Sequence, residues 1–337
     1  MTERAAKSSD YRTIAVIGAG AWGTALALVA AQNGHRVSLW ARESDVVQSI
    51  NSAHRNALFL PEVLLPDAIT ARADMAFARE ADAILLVVPA QHLRSALATL
   101  APQLKPGTPV VLCAKGIERS SGKLVTEVLR EAAPEAAPAI LSGPSFAIDV
   151  ARGLPTAVTI AAEGGLAATL QAVLGSQTFR PYASDDLIGV ALGGAAKNVY
   201  AIACGVVDGL KLGESARAAL LARSFAELAR LGEKLGARRE TLMGLSGLGD
   251  LVLTATSPTS RNFRFGRALG AGRPLAELMK PGEDLAEGVE TAPALAARGK
   301  QASIELPVAE TVAAMLSGTL APGAAAMRLM SRPLTSE

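Results

Sequence analysis

The sequence predicts an α/β protein: a doubly wound parallel sheet followed by an all-helical C-terminal domain. Three observations carry that prediction. Short apolar, β-branched runs alternate with helix-forming stretches through the first half of the chain. The first of these runs opens into the glycine spacing Gly18-x-Gly20-x-x-Gly23. After about Ala183 the strand-like runs stop, and Ala/Leu-rich segments with helical spacing take over.

The elements follow in order. "MTERAAKSSD" has no apolar signal region and reads as a polar flexible tail over residues 1–10. "TIAVIG" (Thr13–Gly18) is a buried strand. "AWGTALALVAAQNG" supplies helix formers, and Asn33-Gly34 supplies the stop. Arg36–Ala41 is the second strand, and Ala81–Ala90 and Pro109–Gly116 are two more, each followed by a helix-like segment. "AILSGP" and "TAVTIAA" continue the series. Strands apolar on both faces, alternating with helices, make a parallel sheet covered on both sides. A dinucleotide-binding domain is therefore expected over residues 11–184, and a helical substrate and catalytic domain over residues 185–332. In the second, Ser215–Gly236 repeats Leu220, Leu221, Phe225, Leu228 and Leu231 at three- and four-residue steps. That stripe is a core face, with Arg and Glu on the other side.

Composition narrows the class. A chain of 337 residues suits two domains, and 50% hydrophobic residues allow a large core. Lys and Arg number 33 against 31 for Asp and Glu, which gives no reason to expect nucleic acid or an anionic membrane as partner. Two cysteines, Cys113 and Cys204, make no disulfide framework and suit a reducing cytosol. No Cys/His cluster exists, so no metal site is expected. The uncharged stretch Thr13–His35 breaks into strand, turn and helix at its glycines, which argues against a membrane span.

The glycine motif has the context it requires, a strand before it and a helix after it, as in Rossmann-like folds. Gly18 permits the tight turn, Gly20 the approach of a pyrophosphate, and Gly23 close helix–strand packing. Phosphates then rest on free N–H groups at the helix start. NAD-preferring sites usually carry a carboxylate at the tip of the second strand. Here the tip reads Trp40-Ala41-Arg42, with Glu43 next. Arg42 suits a 2′-phosphate, so NADP(H) is favoured or at least tolerated beside NAD(H). The alternative is a solvated arginine.

No histidine is well placed for proton transfer. His35 lies in a turn, His54 in the polar "NSAHRN", and His92 at a helix start. Lys197, in "GGAAKNVYAIACGVVDG", is the better candidate, because an apolar helix and a neighbouring cation both lower a lysine's pKa. Lys115, after a strand end, is a candidate for that cation. The bland alternative for Lys197 is an ammonium that snorkels to water. Asp250 stands between glycine-rich and aliphatic runs. Ser260, Arg261 and Asn262 open a helix and suit a phosphate, although Ser260 is equally a plain helix cap. The serine of "SGPSFA" either binds substrate or stabilises its turn.

Together these segments resemble the bacterial NAD(P)-dependent sn-glycerol-3-phosphate dehydrogenase family. The likeness runs along nearly the whole chain, from "VIGAGAWGTALA" through "FLP", "VVPA", "AKGIE", "SGPSFA", "GLPTAV", "GGAAKNVYAIACGVVDG", "GLGDLVLT" and "SRNFRFG" to "EGVET". The resemblance implies a cytoplasmic homodimer that reduces dihydroxyacetone phosphate to sn-glycerol 3-phosphate for phospholipid backbones. It implies Lys197 as proton donor or acceptor, with Lys115 and Asp250 beside it. Lys115, Gly143, Ser145, Lys197, Asp250, Ser260, Arg261 and Asn262 match substrate positions. Gly18, Gly20 and Gly23 belong to the cofactor turn, and Ala21, Trp22, Arg42, Lys115, Ala147, Arg261, Leu285 and Glu287 match cofactor positions. Three residues depart from the family pattern: Ala21 for serine, Asp149 for glutamate and Ser215 for asparagine. Two other readings compete: a nucleotide-sensing protein without chemistry, and a β-hydroxyacid or 6-phosphogluconate-type dehydrogenase.

Overall fold

The computed structural model describes residues 11–280 and 286–331. They form two compact units. One holds residues 11–114 with Val125–Val190, and the other holds Lys115–Leu124 with residues from Ala191 onward.

The first unit is built on an eight-stranded sheet of order β3-β2-β1-β4-β5-β6-β7-β8. Its first half runs β1 (Thr13–Ile17), α1 (Ala21–Gln32), β2 (Arg36–Trp40), α2 (Ser44–Ala53), β3 (Ile69–Arg72) and β4 (Ala83–Leu86). Its second half runs α3 (Leu93–Leu100), β5 (Pro109–Leu112), α4 (Val125–Ala132), β6 (Ala137–Ser142), α5 (Ala147–Ala151), β7 (Thr156–Ala162), α6 (Leu166–Leu174) and β8 (Phe179–Ser184). Ile14, Val16, Leu39, Leu85, Val111, Leu141 and Ile160 project from the strands into one buried cluster with Leu26 and Ala30 of α1. Each such Leu, Ile or Val stabilises the fold by about 1.5–3 kcal/mol.

One feature of the sheet corrects the sequence reading. It is not wholly parallel, because β7 runs antiparallel to β6. The link between them contains only α5, which rises about 7 Å at 1.5 Å per residue. β6 is about 20 Å long at 3.3 Å per residue. So short a helix does not return the chain to the starting end of the sheet. The two edge strands, β3 and β8, carried no separate sequence signal. β8 contains Pro181, which a sheet tolerates at its edge.

The second unit is helical. α7 (Leu187–Gly209) begins in the first unit, where the Asp186 carboxylate accepts from the Gly189 N–H at 2.7 Å, and continues through the second. It is long and apolar enough to cross a membrane, yet every residue of its apolar window is buried inside the protein, as in a core helix. It is followed by α8 (Glu214–Lys234), α9 (Arg239–Met243), α10 (Asp250–Thr256), α11 (Arg261–Gly270) and α12 (Leu275–Leu278). The last helices are α13 (Glu287–Gln301), α14 (Pro307–Leu316) and α15 (Pro322–Met330). A single π-turn, Leu245–Gly249, feeds directly into α10.

α7 and α11 touch backbone to backbone. A Cβ on Gly205 or Gly209 would lie 2.2 Å from the carbonyl of Phe263 or Arg267. A Cβ on Gly266 or Gly270 would lie 2.1 or 2.4 Å from the carbonyl of Ile202 or Val206. Small residues in the lysine segment are therefore a packing requirement.

The α8 stripe is only partly as expected. Leu228 and Leu231 are buried, whereas Leu220, Leu221 and Phe225 are half-buried. Glu227 does not join the solvent face. It is 3% exposed, and its carboxylate accepts from the Val308 and Ala309 N–H groups at the start of α14, at 2.7 and 3.3 Å. The carboxylate thus satisfies orphan donors of that helix. Burial pushes the Glu227 carboxyl up to about 7, against the opposing pull of those N–H groups and Arg230.

His35 is a packing residue, with its ring nitrogens 2.8 and 3.0 Å from the carbonyls of Tyr11 and Val173. Cys113 and Cys204 are buried and outside any disulfide. Among the described residues no cluster of His, Cys, Asp or Glu could hold a metal ion.

Candidate active site

In the second unit two lysines converge on one buried carboxylate. Lys197 sits mid-way along α7 and Lys115 opens the segment after β5. Asp250, the first residue of α10, accepts from Lys197 Nζ at 2.5 Å through Oδ1 and from Lys115 Nζ at 2.7 Å through Oδ2. The Lys197 side chain is 8% exposed, that of Lys115 13% and that of Asp250 1%. Lys197 is therefore not a snorkelling lysine. Burial lowers its pKa to about 8, helped by the Lys115 charge and opposed by Asp250. Burial alone would raise the Asp250 carboxyl, but the two ammonium groups outweigh it and hold the carboxyl below its ordinary range.

Two partners were not singled out from the sequence. Lys197 Nζ also donates to Thr254 Oγ1 at 2.9 Å. Thr254 lies four residues after Asp250, hence on the same helix face, a spacing that could have found it. Asn198 follows Lys197 and donates to the Lys115 carbonyl at 3.3 Å and to Glu287 Oε2 at 3.4 Å. The Asn262 side chain then donates to Asn198 Oδ1 at 2.9 Å and accepts from the Gly288 N–H at 2.9 Å. This chain of amides ties α7, α11 and α13 to the Lys115 segment.

Arg261 is exposed at the start of α11, and Ser260 Oγ caps that helix by accepting from the Phe263 N–H. Burial pushes the Glu287 carboxyl up, against the pull of Arg261, Lys197 and Lys115. Three cations thus meet two carboxylates, an excess of positive charge that suits an anionic ligand. Leu285 lies outside the described residues.

In the first unit the remaining candidates gather at the carboxyl ends of parallel strands, where open α/β sheets bind ligands. The Gly18–Gly23 turn follows β1, Arg42 follows β2, and Gly143, Ser145 and Ala147 follow β6. Gly18 has φ +117°, and a Cβ on Gly23 would lie 1.8 Å from the Gly18 carbonyl. A Cβ on Gly20 would meet nothing within 4 Å, so the turn has open space beside it. Trp22 Nε1 is buried without a hydrogen-bond partner. An open glycine turn at a helix start, next to an orphaned donor, fits the phosphates of a dinucleotide. Arg42 is exposed and forks onto Glu43 at 2.7 and 3.0 Å, with no carboxylate at the strand tip itself. Ser145 Oγ donates to the Gly143 carbonyl at 3.0 Å, which closes its own turn.

Residues 13–167 match the model of the NAD-dependent glycerol-3-phosphate dehydrogenase N-terminus, and residues 186–327 match that of its C-terminus. A glycerol-3-phosphate dehydrogenase [NAD(P)+] of Parvibaculum lavamentivorans is 58% identical over 97% of this chain and 98% of its own length. One from a Bradyrhizobium species is 59% identical over 98% of this chain and 99% of its own length. The crystal structure of glycerol-3-phosphate dehydrogenase from Coxiella burnetii superposes with a TM-score of 0.91 at 40% identity, over 96% of this chain and 99% of that one. With both halves matched and identities this high over the full length, the chain belongs to the NAD-dependent glycerol-3-phosphate dehydrogenase family.

Proposed function

We propose that the chain catalyses the reversible reduction of dihydroxyacetone phosphate to sn-glycerol 3-phosphate with NADPH or NADH, and that Lys197 is its proton donor. The observation that carries the chemistry is the buried Lys197 ammonium on Asp250, with a pKa of about 8. Such a group is protonated near neutrality yet releases its proton readily, as a general acid must.

The Gly18–Gly23 turn, with Ala21, Trp22, Arg42 and Ala147, would hold the cofactor. Bound there, the reduced nicotinamide supplies the hydride. Arg261 and the N–H groups opening α11 hold the substrate phosphate, with Ser260 and Asn262 fixing that helix start. Gly143 and Ser145 shape the loop after β6. Lys197 holds a proton at Nζ and gives it to the ketone oxygen as negative charge develops there. Lys115 adds a second positive charge, and Asp250 keeps both ammonium groups in place. In the oxidative direction neutral Lys197 takes the hydroxyl proton. Residues 11–184 serve the cofactor and residues 185–332 the substrate. A homodimer in a reducing cytosol completes the reading, in keeping with the family likeness and with two buried cysteines outside any disulfide.

Consumption of NADPH or NADH on adding dihydroxyacetone phosphate, followed by absorbance, tests the assignment. Other phosphorylated ketones and sugars should give under about 1% of that rate, because a buried polar site rejects ligands that leave its groups unpaired. No consumption with either cofactor would leave only a binding protein.

A further inference from the structure

We propose that Asn56, outside the motif, aims the cofactor-binding turn: its buried carboxamide fixes the peptide between Ala19 and Gly20 so that the Gly20 N–H faces the pyrophosphate. The inference rests on the reading of the glycine-rich turn as a dinucleotide site.

Asn56 lies just after α2, in the first unit, and is 0% exposed. Its side-chain nitrogen donates to the Ala19 carbonyl at 2.8 Å and to Thr24 Oγ1 at 2.8 Å. Its side-chain oxygen accepts from the Phe59 N–H at 3.1 Å. Both amide hydrogens and the oxygen are therefore engaged. Thr24 is equally buried, and its backbone N–H donates to the Gly20 carbonyl at 2.9 Å within α1.

The direction follows from peptide geometry. A trans peptide is planar, and its C=O and N–H point to opposite sides. The Ala19 carbonyl is drawn inward onto Asn56. The N–H of Gly20, in the same peptide unit, must then point outward. Gly20 is exposed, and its would-be Cβ position is open. An inward carbonyl also removes the one oxygen of this peptide that would repel a phosphate. The glycines permit this conformation but do not select it, because glycine is equally free to turn the other way. Asn56 makes the selection, and it is a positioning residue, since it touches the turn and not the ligand.

The test uses the full chain. Dissociation constants for NADPH and NADH are read by quenching of tryptophan fluorescence, alongside kcat and KM for dihydroxyacetone phosphate at saturating cofactor. Asn56→Ala should raise both cofactor dissociation constants about tenfold, the worth of one oriented, charge-assisted hydrogen bond, while KM for the ketone stays within about twofold. Ser49→Ala is the control. Ser49 Oγ holds the same loop through the Arg55 carbonyl and the Ala57 N–H, and touches neither Ala19 nor Thr24. It should leave cofactor binding unchanged. If N56A does not fold, Thr24→Val removes the acceptor of the second amide hydrogen and the longer bond, 3.4 Å, from the Thr24 hydroxyl to the same Ala19 carbonyl, and should raise the cofactor constants about threefold. Unaltered cofactor binding in folded N56A, or in T24V where N56A fails to fold, overturns the proposal. So does an S49A defect as large as that of N56A, which would mean general loosening of the loop. A wild-type chain that binds neither cofactor overturns the reading of the turn itself, and this inference with it.

Discussion

Lys197 and Lys115 hold opposite oxygens of a single carboxylate, that of Asp250, at 2.5 and 2.7 Å. Burial makes Lys197 easier to deprotonate, the Lys115 charge adds to that, and the carboxylate resists both. The balance leaves Lys197 near 8.

The pH dependence follows with a definite sign. Ketone reduction needs protonated Lys197, so its kcat should be flat below about 8 and fall as pH rises through that value. Oxidation of sn-glycerol 3-phosphate needs neutral Lys197 and should rise through the same value. Initial rates in both directions across pH check this. Lys197→Ala should remove both limbs and lower kcat about 10²–10⁴-fold, the usual share of a positioned acid or base, with cofactor affinity intact.

Asp250→Asn should do more than weaken one contact. It takes from the buried Lys197 ammonium and the partly buried Lys115 ammonium the carboxylate that both bond, leaving Glu287 nearby, and breaking a buried pair costs about 3–5 kcal/mol. Urea unfolding should read that loss at neutral pH. Any rate that survives should fall off at a pH below 8, because the group that raises the Lys197 pKa is gone. In the wild type, Asp250 is stabilising above the ordinary carboxylate range, and that contribution is lost as pH falls through its lowered pKa.

How much of this was legible in the sequence depends on range. The β1–turn–α1 unit was readable because its glycines, strand and helix are contiguous. Lys197 was readable as a charge in an apolar helix. Its bond to Asp250 spans 53 residues, and that of Lys115 spans 135, so spacing alone could nominate the partners without joining them. Glu227 misled for the same reason. Its partners are N–H groups 81 and 82 residues away, which no local pattern reveals.

Glu227 gives a stability prediction. Its folded pKa, about 7, lies above the ordinary glutamate value. The folded state therefore keeps a proton that the unfolded chain has released, and this group's contribution falls as pH rises from about 4.5 to 7. Glu227→Gln removes that slope. The melting temperature of wild type minus that of the variant should drop by at least about 2 °C between pH 5 and pH 8. An unchanged difference would place no titration at this site.

Cofactor choice is tested at Arg42. With no carboxylate at the tip of β2, Arg42→Ala should lower kcat/KM for NADPH about tenfold and leave that for NADH nearly unchanged, the worth of one charge-assisted hydrogen bond to a 2′-phosphate. A parallel fall with both cofactors would show that Arg42 does not discriminate.

The four glycines where α7 meets α11 have an evolutionary corollary. At each of them any added carbon collides with main chain, and main chain has no rotamer by which to step aside. The helix that carries the acid is thereby a fixed datum, closed to gradual drift. Descendants that acquire a new substrate preference must do so by exchanging side chains around a stationary ammonium.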